Sequence, residues 1–168
     1  SFDNGEDVQQ TNDGGFIIAG CTGSFGNGNG DVWLIKTDSE GNEEWSNTFG
    51  GNGTDVGRSV VQATDGGYVI TGLVNYDFIV LIKTDSGGNE EWNQTFGESG
   101  DNDSYSLQQT TDGGYVIVGE KWSEGSENDI WLIKTDSEGN EEWNQTFGGD
   151  SWEMGKSVQE TADGGFIL

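Results

Sequence analysis

The sequence predicts an all-β repeat protein, and three observations support this fold class. First, the stretch DVWLIKTDSEGNEEWSNTFGG at 31–51 returns at 129–149 with 18 of 21 residues identical, and a third copy lies at 78–98. Second, spacings of 47 and 51 residues separate the tryptophans that mark the repeat, Trp45, Trp92 and Trp143. Third, β-rich runs alternate with glycine turns and show no helical periodicity. Repeats of this length are units that bury their apolar faces only against one another.

Each repeat is interpreted as four short strands, named a to d in chain order. An Asp-Gly-Gly turn follows strand a in all four copies, and its glycines supply the positive φ that a tight hairpin needs. Strand b is the β-rich run after that turn, such as YVIVG at 115–119. The predicted positions of strand a are 8–11, 60–63, 107–110 and 158–161.

Strands c and d form the half of the repeat whose sequence changes least between the copies within this chain. The run from Val32 to Ile35, just before Lys36 and Thr37, is apolar throughout, which predicts a central strand covered on both faces. A glycine-containing turn then reverses the chain. Strand d has the pattern EEWxxTF, and alternation predicts one shared side for three of its residues: Trp45, Asn47 and Phe49.

The connection between strands b and c is the one segment of the repeat that changes length. It places 13, 8 and 12 residues between the glycine that closes strand b and the leucine of strand c. The remaining landmark spacings are constant between repeats. Insertions accumulate where a scaffold tolerates them, commonly on the face that binds other molecules.

Four antiparallel strands in about 50 residues predict a β-propeller-type repeat, with three four-stranded blades plus half of a fourth. The predicted blades of this single domain are 1–50, 51–97, 98–149 and a partial blade at 150–168. A β-trefoil is the alternative, because it too has three repeats. The fourth Asp-Gly-Gly hairpin favours the propeller, since a closed three-fold barrel has no place for half of another repeat.

The signature DGGYVIVG, then DIWLIKTDSEGNEEWNQTFGG, then SVQET with a further DGG turn, resembles the repeat of secreted and cell-surface β-propeller proteins of prokaryotes. More distantly, Asp38, Gly41 and Trp45 are similar to the tryptophan-docking motif of quinoprotein-like propellers. The resemblance implies no quinone, because those dehydrogenases need adjacent cysteines and this chain has Cys21 alone. It does imply an inter-blade structural role for three residues: Trp45, Trp92 and Trp143.

Composition limits the possible functions. A formal charge of −25 would repel nucleic acid and anionic lipid, and no apolar run has membrane-spanning length, so neither partner is expected. The chain contains no histidine, which excludes the usual nucleophilic triads. Glu pairs recur in every repeat, as a structural surface does, and no catalytic residue is predicted. Cys21 is interpreted as a packing residue, and the ends at Ser1 and Leu168 suggest a processed or incomplete sequence.

Aromatic residues outside the repeated core positions are the predicted ligand-binding residues. In a propeller the b–c and d–a connections emerge on one face, where rings among amide and carboxyl groups suit carbohydrate or protein. The four binding residues predicted for this face are Phe25, Tyr76, Trp122 and Trp152, with Tyr105 as a further candidate. No cofactor is predicted. Two loop segments offer oxygen ligands of the kind that calcium binds: Asp101, Asn102 and Asp103, and Asn27, Asn29 and Asp31.

The function predicted from these features is a non-enzymatic extracellular or cell-surface module that binds carbohydrate or protein through this face. One alternative is a fragment of a propeller enzyme acting on glycans. Another is a self-assembling surface-layer or filament component, because three and a half blades cannot close a ring and leave a strand edge free. We therefore expect the chain to form homo-oligomers or to belong to a longer polypeptide.

Overall fold

The computed structural model describes residues 2–98, 100, 102–122 and 127–168. These residues form strands and connections, and none of them belongs to a helix of membrane-spanning length and apolarity. The strands, in chain order, are β1 (Asp3–Gln10), β2 (Phe16–Thr22), β3 (Asp31–Thr37), β4 (Glu43–Phe49), β5 (Val56–Gln62), β6 (Tyr68–Val74), β7 (Phe78–Thr84), β8 (Glu90–Phe96), β9 (Asp103–Gln109), β10 (Tyr115–Lys121), β11 (Asp129–Thr135), β12 (Glu141–Phe147), β13 (Gln159–Glu160) and β14 (Phe166–Ile167).

The strands form three four-stranded antiparallel sheets and a two-stranded hairpin. Sheet 1 has the order β1-β2-β3-β4, sheet 2 the order β5-β6-β7-β8 and sheet 3 the order β9-β10-β11-β12, while β13 and β14 form the terminal hairpin. Strands a to d of each complete repeat are therefore the four strands of one sheet. No sheet in the described part of the chain closes on itself, so the closed barrel of a β-trefoil is not formed there.

Two turns, each closed by an Asp carboxylate that accepts backbone N–H groups, set the register within each sheet. In the first Asp-Gly-Gly turn, Gly14 has φ +87°, and the Asp13 carboxylate accepts the Gly15 N–H at 3.0 Å. In the turn between β3 and β4, the carboxylate of Asp38 accepts the backbone N–H groups of Glu40 and Asn42. This second turn is a hairpin in which the carboxylate is bound by the backbone of its own loop.

Strand a is longer than its sequence pattern predicts. β1, β5 and β9 begin at Asp3, Val56 and Asp103, ahead of the predicted starts at 8, 60 and 107. In each strand the pairing slips by one residue, which inserts a β-bulge and lets the ladder continue beyond it. The alternation of side chains between the two faces of the strand is broken at the bulge. A prediction based on alternation alone therefore leaves out the residues before the bulge. The extra residues at the three bulges are Glu6, Arg58 and Tyr105.

The apolar core lies between neighbouring sheets and not within a single one. One cluster joins sheets 1 and 2, and includes Leu34 and Ile70, both fully buried. A second cluster joins sheets 2 and 3 through residues such as Leu81 and Ile117, also fully buried. A third joins sheet 3 to the segment around Val158 and Phe166. Sheets 2 and 3 are therefore covered on both faces, as their continuous apolar strands require.

The tryptophan of each outer strand packs against the next sheet. The rings of Trp45 and Tyr68 have centroids 5.8 Å apart, and the same tilted contact joins Trp92 to Tyr115 at 6.1 Å. Trp143 makes the equivalent contact with Phe166 of the terminal hairpin at 5.7 Å. Because each such pair links strand d of one sheet to strand b of the next, the three tryptophans connect successive sheets.

A buried lysine in strand c of each sheet is held by two carboxylates. Lys83 Nζ lies 2.8 Å from Asp65 and 2.7 Å from Glu91, and it also donates to the backbone oxygen of Thr84. Burial alone would lower the pKa of this lysine, but the hydrogen bonds to Asp65 and Glu91 outweigh burial and raise it. The same arrangement recurs around Lys36 and Lys134. It ties the a–b turn to strands c and d.

Side-chain hydrogen bonds connect the first strands of successive sheets. Asp7 on β1 accepts the Ser59 hydroxyl and the Val60 N–H of β5. Arg58 on β5 reaches Asp103 at the start of β9. β5 therefore lies between β1 and β9, and the three sheets are joined along their first strands.

Candidate functional site

The b–c and d–a connections meet along one side of the sheets, which we call the loop face. It comprises residues 23–30, 50–55, 75–77, 122, 127–128 and 148–157, with the described residues of 97–102. The Asn29 N–H donates to Gly53 O at 3.0 Å, and the Asp55 N–H donates to Gly30 O at 2.9 Å. The same type of contact recurs at sheet 3, where the Glu153 N–H donates to Asn128 O at 2.9 Å. Each d–a connection is thus supported by a b–c loop.

All four predicted aromatic residues are exposed, but the structure groups only two of them. The exposed fractions are 61% for Phe25, 58% for Tyr76, 44% for Trp122 and 56% for Trp152. Trp122 and Trp152 line one open cleft of about 390 Å³ with Glu127 and Asn128. Phe25 packs against Trp33 instead, with ring centroids 5.9 Å apart, and Tyr76 lines a different cleft. We call the first of these the tryptophan cleft.

Trp152 is held in the tryptophan cleft by a buried carboxylate beneath it. Its Nε1–H donates to Glu120 Oε2 at 2.6 Å, while Glu120 Oε1 accepts the hydroxyl of Tyr105 at 2.5 Å. Glu120 is only 6% exposed, and the corresponding positions in the other sheets carry Cys21 and Leu73. A single change in an otherwise regular repeat therefore provides the group that fixes the exposed indole.

Tyr105, on β9, is the other residue that the Glu120 carboxylate binds. Burial raises the pKa of the Tyr105 hydroxyl, and the hydrogen bond to Glu120 raises it further, so this residue remains a proton donor to the carboxylate. Lys156 Nζ lies 3.2 Å from the centroid of the Tyr105 ring, a cation–π contact. Tyr105 is therefore an inward-facing support of the cleft and not one of its exposed loop aromatics.

The second tryptophan of the cleft is supported by a glycine. A Cβ placed at Gly100 would lie 3.3 Å from Trp122 Cε3, closer than most Cβ contacts, so a larger residue at this position would push against the indole. The neighbouring Lys121 extends over the ring of Trp131 at 4.9 Å, which fixes the end of β10 just before Trp122. Both indoles of the cleft are thus positioned by the protein before any ligand arrives.

A second cleft of about 380 Å³ lies near the starts of β1 and β5. Tyr76 and Phe2 are among its lining residues, as are the charged residues Glu6 and Arg58. The guanidinium of Arg58 lies 3.0 Å from Asp103 and 3.4 Å from Glu6, so both of its neighbours are carboxylates. Burial raises the pKa of Asp103, although the charge of Arg58 opposes the rise. This cleft is dominated by an internal ion-pair network that leaves less of its polar surface for a ligand.

The residues of the two loop segments that offer oxygen ligands for calcium have structural roles where the structure describes them. Asn102 is buried and donates to the backbone oxygens of Asp77 and Glu98, at 2.6 and 2.9 Å. Asp103 pairs with Arg58, whereas Asp101 lies outside the described residues. Among the described residues, no group of three histidine, cysteine, aspartate or glutamate side chains is arranged to hold a metal ion.

Asp31 and Asp55 form a buried carboxylate pair beneath the loops. They are 3% and 1% exposed, and Asp55 accepts the backbone N–H groups of Gly51 and Asn75. Burial raises the pKa of Asp31, against a hydrogen bond from the Asn27 backbone, and the charge of Asp55 adds to the rise. Because neither carboxylate reaches the surface, the pair anchors loops and does not form a catalytic dyad open to substrate. Asn27 and Asn29 belong to the loop that it anchors.

Sequence reasoning found the two tryptophans of the cleft but missed Glu120 and Lys156 as their supporting residues. A signal was present, because the position of Glu120 and the position of Lys156 each carry a different residue in every repeat. Cys21, at the position of Glu120 in sheet 1, is buried, and burial raises the pKa of its thiol. That thiol is therefore poorly suited to act as a nucleophile.

Comparison with known proteins adds information on the fold. No protein-family model and no curated protein sequence matches this chain. Among solved structures, a protein of unknown function from Bacteroides caccae is similar, with a TM-score of 0.57, 11% sequence identity and coverage of 89% of this chain. The chain spans about half the length of that protein, of which 48% is covered. At this identity the similarity concerns the fold alone.

Proposed function

We propose that the chain is a non-enzymatic carbohydrate-binding module of the extracellular space or cell surface, and that the tryptophan cleft is its binding site. The observation that carries this proposal is the convergence of two exposed indoles, Trp122 and Trp152, with Glu127 and Asn128 in one open cleft. The two tryptophans come from different connections and lie outside the repeated core positions, so the scaffold does not require them.

The chemistry of the cleft suits a sugar. Indole faces offer flat apolar surface to the C–H face of a pyranose ring, while carboxylate and amide groups exchange hydrogen bonds with its hydroxyls. With a formal charge of −25, the surface favours neutral or basic sugars over sulfated or uronic polymers.

The proposed scaffold of this site is a β-propeller, in which the three sheets are blades and β1, β5 and β9 lie nearest the axis. Three features support it: the four-stranded antiparallel order of each sheet, the face-to-face packing between successive sheets, and the contacts among the first strands. In this arrangement the fourth repeat contributes the terminal hairpin as part of a further blade. The loop face is then one end of the propeller.

A glycan array probed with the purified chain and three variants tests the binding function. We expect the unaltered chain to bind a subset of neutral or amino sugars, and the Trp122→Ala and Trp152→Ala variants to lose roughly ten-fold or more in affinity, as truncated aromatic anchors do. Phe25→Ala is the matched control, because Phe25 is an exposed aromatic residue of the same face outside the cleft. The proposal fails if no glycan is bound, or if the three variants behave alike.

A further inference from the structure

Strand c carries a tryptophan at its third position in sheets 1 and 3 but a valine in sheet 2. Trp131 of β11 is 2% exposed and belongs to the core cluster that joins sheets 2 and 3. Val80 is the equivalent residue of β7 and belongs to the cluster that joins sheets 1 and 2. Each of the two residues thus faces the preceding sheet. We call the contact between sheets 1 and 2 the first interface, and the contact between sheets 2 and 3 the second interface.

A cavity of about 220 Å³ lies beside Val80 in the first interface. In the second interface, Trp131 is accompanied by three residues of its core cluster and by a glycine whose Cβ position lies 3.5 Å from the indole ring: Ile79, Phe96, Ile133 and Gly97. The equivalents of all four residues in the first interface line the cavity: Val32, Phe49, Ile82 and Gly50. The cavity is therefore the space that an indole fills in the second interface.

The cavity opens to solvent along strand d of sheet 2. Asn93 and Thr95 line the cavity and are both exposed. Phe96 is 6% exposed in the second interface, whereas its equivalent Phe49 remains partly exposed in the first. A small molecule can therefore enter the cavity without separating the two sheets.

A hydrogen-bond acceptor is already in place at the cavity. In the second interface, the indole N–H of Trp131 donates to Asn144 Oδ1 at 3.0 Å, and Asn144 Nδ2 donates to Glu141 at 2.6 Å. Asn93 is the equivalent asparagine at the cavity, and its Nδ2 makes the same hydrogen bond to Glu90 at 2.6 Å. Asn93 Oδ1 is thus held in the pose in which Asn144 accepts an indole N–H.

The charges around the cavity favour a neutral occupant. Lys121 lies over the Trp131 ring at 4.9 Å in the second interface, but its equivalent at the cavity is Val74. Two of the lining residues, Asp55 and Glu90, are acidic, so an anionic ligand would be repelled. The occupant that fits is flat, aromatic and neutral, with one N–H donor.

We propose that this cavity binds a small molecule of the indole class in the place that the Trp131 side chain occupies in the second interface. The ring packs between Phe49 and Val80, and its N–H donates to Asn93 Oδ1. Cavities left where a buried side chain is missing bind small apolar molecules of matching shape. This site is separate from the tryptophan cleft, which belongs to sheet 3, and does not depend on sugar binding.

Calorimetric titration of the 168-residue chain with indole tests the proposal. We expect a Kd below about 1 mM. Val80→Trp supplies the indole from the chain itself, so this variant should no longer bind free indole and should have a higher urea midpoint, as cavity-filling substitutions do. Saturation not reached by about 10 mM indole, or binding to a folded Val80→Trp variant as tight as to the unaltered chain, overturns the proposal.

Benzofuran tests the hydrogen bond, because it has the shape of indole without the N–H donor. The unaltered chain should bind indole roughly three- to ten-fold more tightly than benzofuran, the net effect of one hydrogen bond. Asn93→Ala should bind the two compounds alike, whereas Asn144→Ala, the matched change in the second interface, should keep the preference. A preference that survives in Asn93→Ala would contradict the assigned role of Asn93.

Methyl NMR locates the bound indole without any substitution. Ring currents should shift the methyl signals of three lining residues, Val32, Val80 and Ile82, on titration. The signals of Val116 and Val118, which belong to the core cluster between sheet 3 and the terminal hairpin, should stay in place. Equal shifts in both groups would mean that indole partitions into the core without a specific site, and would overturn the proposal.

Discussion

At the scale of single residues, the molecule separates positions that build the repeat from positions that make one repeat unlike the others. Glu120 shows the difference most clearly. Its equivalents are Cys21 and Leu73, both of which are buried packing residues. In sheet 3 the same strand position carries a carboxylate, and that carboxylate binds Tyr105 and Trp152. A scaffold position has thus become a support for the proposed sugar site.

Replacing Glu120 by leucine should weaken sugar binding without preventing folding. Leu73 shows that leucine fits this strand position, but the hydroxyl of Tyr105 and the indole N–H of Trp152 lose their acceptor. We expect roughly five- to ten-fold weaker binding of an array-selected sugar and about 1–3 kcal/mol less stability, the cost of a buried polar group without a partner. Calorimetric titration and urea unfolding measure the two effects.

Glu120→Gln is the control for this prediction, because its amide oxygen still accepts one of the two hydrogen bonds. Its sugar affinity should fall between that of the unaltered chain and that of Glu120→Leu. Equal sugar affinity for all three proteins would show that the hydrogen bond from Trp152 to Glu120 is not needed for binding.

The sequence identified the exposed aromatic residues of the loop face, because they are rings outside the repeat pattern, but it did not predict which of them lie together. Which loops meet depends on how sheet 3 packs on its neighbours, and no local pattern contains that information. Phe25 therefore looked equivalent to Trp152 in the sequence, although the two line different surfaces. Glu120 was missed because a carboxylate in an apolar strand is interpretable only when its hydrogen-bond partners are known.

At the scale of elements, the turn between strands c and d has a second role, because its glycine contacts the strand d tryptophan of the preceding sheet. Gly88 and Gly41 provide a matched pair, with φ values of +78° and +85°. Alanine at Gly41 meets open space, whereas alanine at Gly88 meets the Trp45 ring. The two substitutions therefore share the cost of a positive φ and differ only in the contact between sheets.

Gly41→Ala should destabilise the protein by about 1–2 kcal/mol, the cost of a left-handed residue with a side chain. Gly88→Ala should cost about 1–3 kcal/mol more, because the ring of Trp45 must move from a well-packed interface. Urea midpoints of the two variants measure the difference. Equal midpoints would show that Trp45 contributes little to the contact between sheets 1 and 2.

The elements themselves were largely predictable from the sequence. Asp-Gly-Gly and the glycine of the c–d turn leave the backbone few alternatives, and the apolar run of strand c indicated a central strand. The β-bulges at Glu6, Arg58 and Tyr105 were not predictable, since the residues around them show no break in composition. For that reason the sequence pattern predicts starts for β1, β5 and β9 that are later than the true ones.

At the scale of the whole molecule, the carboxylates of the Asp-Gly-Gly turns contribute to the response to acid. The hydroxyl of Thr110, together with Lys134, lowers the pKa of Asp112 to about 2, and similar partners lower the pKa of Asp13. The unfolded value is about 3.9, so between these values the unfolded chain binds more protons. The stability that these groups contribute is present above pH 4 and is lost as the pH falls toward 2.

We therefore expect the free energy of unfolding to decrease steeply between about pH 4 and about pH 2. Asp31 and Asp103 act in the opposite sense, because burial raises their pKa values and protonation favours their folded form. Urea unfolding at a series of pH values measures the sum. In Asp112→Asn the same curve should be flatter below pH 4, and an unchanged slope would exclude this turn as a source of the acid sensitivity.

The central claim is that the tryptophans of the repeat hold the sheets together whereas those outside it bind the sugar. The chain has seven tryptophans, each with one indole N–H signal in a ¹⁵N-correlated NMR spectrum. On titration with an array-selected sugar, we expect the signals of Trp122 and Trp152 to shift and those of Trp45, Trp92 and Trp143 to stay in place. Shifts confined to the latter three, or no shift at saturating sugar, would contradict the claim.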